Sequence, residues 1–143
     1  MPTCPPAALW RAARRTKITS VFTSPAGVVA VIDDDQGMRQ AMRRVLETGG
    51  FVTEIFSTAE AFLASGAASR ARCLVLDIQL PGMSGFDLHR HLLASGDAIP
   101  TVFVTAHEDL CSRGDVIKAG ACCLVKPFPA ETLVKAVTGS LAR

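Results

Sequence analysis

Five short apolar runs alternate with five amphipathic stretches between residues 28 and 141, and this alternation limits the fold more tightly than any other feature of the chain. The runs are Val28–Ile32, Val52–Phe56, Cys73–Leu76, Thr101–Val104 and Cys122–Val125. They are mostly β-branched or aliphatic, the composition of strands buried on both faces. The stretches between them carry helical spacing. Gln36–Thr48 places Met38, Met42, Val45 and Leu46 on one side, and Gly49-Gly50 stops it. Ser57–Ser65 opens with an expected capping box from Ser57 to Glu60. Gly85–Ala94 presents Phe86, Leu88, Leu92 and Leu93, and Ala130–Leu141 presents Leu133, Val134 and Val137. Leu110–Ala119 has the weakest pattern, because Gly114 sits inside it.

Strand–helix repeats of this kind predict an α/β protein with an open, parallel, doubly wound sheet. The five-stranded form is the flavodoxin-like (βα)5 sandwich, with strand order 2-1-3-4-5. The chain has 143 residues, of which 49% are apolar and 20% charged, enough for one full core and too apolar for a disordered chain. No run approaches the ~18 apolar residues of a membrane span. The expected division is an N-terminal extension over 1–26, read as disordered or as an over-long start, and one domain over 27–143. The extension holds Pro2, Pro5, Pro6 and Pro25, and its charge comes from Arg11, Arg14, Arg15 and Lys17 with no acid. Four positive charges there, against a net +2 for the chain, leave −2 for the rest, which points away from a nucleic-acid surface on the domain. Arg14-Arg15 is not followed by the apolar segment of an export signal. The five cysteines include no CxxC pair, and Cys73, Cys122 and Cys123 stand in apolar runs as small core residues would. That usage fits a reducing cytoplasm.

Ligands of such sheets bind beyond the carboxyl ends of the strands. Asp33, Asp34 and Asp35 follow the first strand, Asp77 the third, Thr105 the fourth and Lys126 the fifth. With neighbouring strands about 4.8 Å apart, these groups converge on one crevice. Clustered carboxylates raise one another's pKa unless a cation joins them. An all-oxygen donor set favours Mg²⁺ over zinc. A carboxylate held there is able to attack a phosphoryl group, with Lys126 and the Thr105 hydroxyl near the oxygens that carry its charge.

Four segments carry a resemblance: Val29-Ala-Val-Ile-Asp-Asp-Asp, Cys73-Leu-Val-Leu-Asp-Ile-Gln-Leu-Pro-Gly-Met-Ser-Gly, Val102-Phe-Val-Thr-Ala-His and Leu124-Val-Lys-Pro-Phe. In order and spacing, residues 28–140 resemble the receiver domains of bacterial two-component response regulators, here of a single-domain type. The resemblance implies that Asp77 accepts the phosphoryl group. It implies that Asp33, Asp34, Asp77 and the backbone carbonyl of Gln79 hold Mg²⁺, and that Thr105 and Lys126 engage the phosphoryl group. It further implies a cis Lys126-Pro127 peptide and a histidine kinase or phosphotransfer protein as donor. The rest of the expectation is an output by protein contact without direct DNA or membrane binding, a cytoplasmic location, and a monomer or weak phosphorylation-dependent dimer. Gln79 and His107 hold positions that border the site in receivers, although His107 reads equally well as an exposed loop residue. Asp35 reads as a turn residue or helix N-cap. His89 and His91, two apart on a helix, point to different faces and make no metal pair.

The pattern departs from the family in the fifth strand. Receivers usually carry an aromatic residue three positions before the lysine, and here Cys123 stands there. The loop before it is one residue short. The departure implies a weaker or differently packed output response and leaves the pocket chemistry intact. It also keeps a second reading open, a phosphorylation-independent interaction module. A third, an aspartyl-phosphate phosphatase of the haloacid dehalogenase type, is disfavoured because Gln79 stands where its second acid belongs.

Overall fold

The computed structural model describes residues 27–114, 116 and 121–142. The extension over 1–26, with Trp10 and Cys4, lies outside the described residues. Five parallel strands form one sheet: β1 (Val28–Ile32), β2 (Val52–Phe56), β3 (Ala71–Asp77), β4 (Thr101–Thr105) and β5 (Cys122–Val125). Their order is β2-β1-β3-β4-β5, as expected. Among the described residues, four α-helices of seven residues or more accompany them: α1 (Gln36–Thr48), α2 (Ala59–Ser65), α3 (Gly85–Ala94) and α4 (Ala130–Leu141).

The pleat of the sheet divides the core in two, because successive residues of a strand point to opposite faces. Ala30, Ile32, Leu74, Leu76 and Phe103 pack with Phe62 of α2 and with Phe86, Leu88 and Leu92 of α3. Val29, Val31, Cys73, Val75, Val102 and Val104 pack instead with Met42 and Leu46 of α1 and with Leu133 and Val137 of α4. β3 and β4 are covered on both sides, which is why their runs lack polar alternation.

Helix ends follow from local chemistry. Asp35 caps α1, its side chain accepting from the Met38 N–H at 3.0 Å. The turn after α1 passes through Gly50 at φ +95°, a conformation that costs glycine little. The Ser57–Glu60 capping box does not form. Thr58 is the N-cap of α2, accepting from the Ala61 N–H at 3.0 Å, and Glu60 reaches across to the Met83 N–H at 2.9 Å. A full capping box closes α3 instead, between Ser84 and Asp87. The helix expected over Leu110–Ala119 is replaced at its start by a 3-10 turn over Glu108–Ser112, and most of the remainder lies outside the described residues.

The cysteines require a second correction. Cys73 is a fully buried core residue, as expected. Cys123 is only half-buried and forms a disulfide with Cys111 of the 3-10 turn, with Cα atoms 5.6 Å apart. The register pairs Cys123 with Phe103, so its side chain faces the α3 side of the sheet, where the turn after β4 passes. Cys122 faces the α1 and α4 side.

Candidate functional site

The carboxyl ends of β1, β3, β4 and β5 meet in one polar pocket. The register explains the convergence: Ile32 pairs with Leu76, Asp77 with Val104 and Thr105 with Val125, so the residue after each strand pairing reaches the same edge. Asp33, Asp34 and Asp77 each offer a carboxylate oxygen, all within 4.8 Å of one another. Asp33 and Asp77 are buried and Asp34 is exposed, so the cluster opens to solvent on one side.

Lys126 closes the other side. Its Nζ donates to Asp33 Oδ2 at 2.8 Å and to Asp77 Oδ2 at 2.9 Å. The remaining oxygens have fixed partners: Asp33 Oδ1 accepts from the Asp35 N–H and Asp77 Oδ1 from the Gln79 N–H, each at 2.9 Å. Burial raises the Asp77 pKa above the usual carboxylate range and outweighs the opposing bonds from Lys126 and Gln79, while the Asp33 charge adds to the rise. Burial works against the Lys126 ammonium, but its bonds to Asp33 and Asp77 outweigh it and hold the group above the usual lysine value. The pocket therefore keeps its cation firmly and carries more negative charge than one ammonium offsets.

Thr105 ends β4, fully buried, one residue beyond the partner of Asp77. Its Oγ1 accepts from the His107 N–H at 3.0 Å and its carbonyl accepts from the Lys126 N–H at 2.7 Å, which ties the β4 and β5 ends together. The Gln79 and His107 side chains are exposed at the rim. His91 is exposed on α3 while His89 packs edge-on against Phe103 at 5.3 Å, so the two make no site. The Lys126-Pro127 peptide is cis.

A family model for the response regulator receiver domain matches residues 29–138. The chain belongs to the response regulator receiver family. The receiver is 37% identical over 117 residues to the response regulator protein TodT of Pseudomonas putida, covering 81% of this chain and 52% of that one. It is 35% identical over 116 residues to the transcriptional regulatory protein FixJ of Azorhizobium caulinodans, covering 80% and 55%. The receiver thus spans about half the length of the curated relatives it matches. Among solved structures it superposes on the response regulator StyR with TM-score 0.73 at 41% identity, covering 80% of this chain and 58% of that one. It superposes on the N-terminal part of FixJ with TM-score 0.72 at 32% identity, covering 80% and 93%. No helix among the described residues is long and apolar enough to cross a membrane.

Three supporting contacts of this receiver are absent from the sequence reading. Arg39 Nη1 donates to the Asp33 carbonyl at 2.9 Å and steadies the acidic turn. Glu60 anchors the loop that leaves β3 through the Met83 N–H. Gly85 lies so close to the Asp77 carbonyl that a Cβ there would stand 2.3 Å from the oxygen. Only the last had a signal, the glycine at the head of α3.

Proposed function

We propose that this receiver takes a phosphoryl group on Asp77 in a Mg²⁺-dependent reaction. The observation that carries the reading is the convergence of three carboxylates and one ammonium from the ends of separate strands, with Asp77 buried and bonded through both oxygens. Asp33, Asp34, Asp77 and the Gln79 carbonyl would hold the metal, and their hard oxygen donors fit Mg²⁺. Bound there, Mg²⁺ supplies positive charge for the oxygens of the phosphoryl group.

The chain's own residues do the rest. Lys126 holds Asp77 Oδ2 and the Gln79 N–H holds Oδ1, so the carboxylate is oriented before the donor arrives. A lone pair of one Asp77 oxygen attacks phosphorus, the bond from phosphorus to the donor breaks, and an acyl phosphate remains on Asp77. Lys126 then turns one N–H toward the added negative charge. The Thr105 hydroxyl, now an acceptor from His107, has its own proton available for the same oxygens.

The donor in this reading is a phosphohistidine of a histidine kinase or phosphotransfer protein. The output is a change in protein contacts, in the cytoplasm, with no external substrate turned over. The deciding experiment incubates the protein with Mg²⁺ and acetyl phosphate and reads intact mass beside an Asp77→Asn control. One phosphoryl group that depends on Mg²⁺ and disappears in the control is the expected result. A folded, Mg²⁺-binding protein that stays unmodified overturns it in favour of a phosphorylation-independent interaction module.

A further inference from the structure

We propose that Cys111 and Cys123 are a redox-modification site, a two-electron couple that exchanges with dithiols and governs how freely the segment after Thr105 moves. Both residues are only half-buried, so neither is sealed in the core. The pairing is specific. Cys122 is one position away from Cys123 but faces the opposite side of the sheet, and Cys73 is wholly enclosed in that opposite core. Neither competes for Cys111.

The location gives the bond its effect. The segment from Thr105 to Cys111 is held at its first end by the bonds from Lys126 N–H to the Thr105 carbonyl and from His107 N–H to Thr105 Oγ1. At its other end it is held covalently to β5. Just beyond, the Arg113 guanidinium lies over the Phe86 ring at 4.5 Å, and Phe86 packs on Phe103, the register partner of Cys123. With the disulfide closed, the 3-10 turn is tied covalently to β5 at Cys123. With it open, the turn keeps the packing of Leu110 on the core, the Arg113 contact and its short-range backbone bonds, but loses its covalent link to β5.

The chemistry is thiol–disulfide exchange. A thiolate of an external dithiol attacks one sulfur, the Cys111–Cys123 bond breaks, and a mixed disulfide forms. The donor's second thiol displaces the remaining cysteine. The protein gains two electrons and two protons and the donor leaves as its disulfide. Oxidation by a disulfide of the glutathione class runs the same steps backward.

The test uses the full chain, air-oxidised or treated with dithiothreitol under native conditions. Iodoacetamide labelling with peptide mapping should add groups at positions 111 and 123 only after reduction. Amide exchange over residues 106–112 should then speed up by at least about tenfold. A Cys111→Ser variant should exchange at the fast rate under both conditions. A disulfide that opens only when the protein is unfolded overturns the proposal, and so does exchange that is equal in both forms. The link to the pocket rests on the phosphoacceptor reading: the lifetime of a phosphoryl group on Asp77 should differ at least about threefold between the two forms. Equal lifetimes remove that link, whereas no phosphoryl uptake in either form counts against the reading of Asp77, and exchange then decides the redox site alone.

Discussion

Asp33 and Lys126 stand 93 residues apart in sequence and 2.8 Å apart in space. The contact joins the first and last strands of the sequence across the sheet and neutralises a carboxylate with no exposure at all. Removing one partner from such a pair leaves a buried charge without compensation. Lys126→Met is therefore expected to cost on the order of 2–4 kcal/mol in urea unfolding without metal. Added Mg²⁺ should recover part of the loss if the carboxylates bind it. Equal midpoints for the two proteins would show that solvent already screens the pocket.

Gly85 is confined by backbone rather than by flexible side chains. A Cβ there would stand 2.3 Å from the Asp77 carbonyl oxygen and 2.8 Å from the Ile78 Cα, while the Gly85 N–H bonds the Ile78 carbonyl at 2.8 Å. Gly85→Ala has to push α3 away from the end of β3. The expected cost is about 2–3 kcal/mol, the range of an overpacked core, with reduced phosphoryl uptake at Asp77. Wild-type stability in a thermal melt would contradict this close approach.

Burial pushes the Cys73 thiol up to about 12, with a further push from neighbouring Cys122. The folded state then keeps a proton that the unfolded chain releases near 9, the ordinary thiol value. Stability from this group is complete below that value and is lost as pH rises toward 12. Urea midpoints of the wild type should fall more steeply above pH 9 than those of Cys73→Ala. Parallel curves would mean that the thiol titrates normally.

Glu60 spends its carboxylate on the loop after β3 rather than on its own helix. It accepts from the Met83 N–H at 2.9 Å, beside Gly82 at φ +73°. Glu60→Ala is expected to cost about 1 kcal/mol, one hydrogen bond to a charged acceptor, and to speed amide exchange at Met83. Unchanged protection there would assign the loop's order to Ser84 and Asp87 instead.

The fold was legible because its information is local. Val28–Ile32, Val52–Phe56 and Cys122–Val125 are strands with the expected bounds, and Gln36–Thr48, Gly85–Ala94 and Ala130–Leu141 are helices with theirs. Asp33, Asp34, Asp77 and Lys126 were legible because the carboxyl edge of a parallel sheet gathers whatever follows its strands. Contacts that depend on how loops travel were not. Thr58 rather than Ser57 caps α2, and Glu60 is engaged 23 residues away. The Cys111–Cys123 bond depends on a 3-10 turn where periodicity predicts a helix. The bidentate pair of Arg70 with Glu54, at 2.7 Å through both nitrogens, likewise depends on the path from α2 into β3.

The order of the strands puts β2 and β5 at the two borders of the sheet. Borders are where sheets of separate molecules fuse into aggregates. β2 has a charged residue, Glu54, at its centre, bound to Arg70. β5 is four residues long and runs directly into Lys126, whose N–H is committed to Thr105, and Pro127, which has none to give. Among the described residues, growth by strand addition is thus discouraged at both borders.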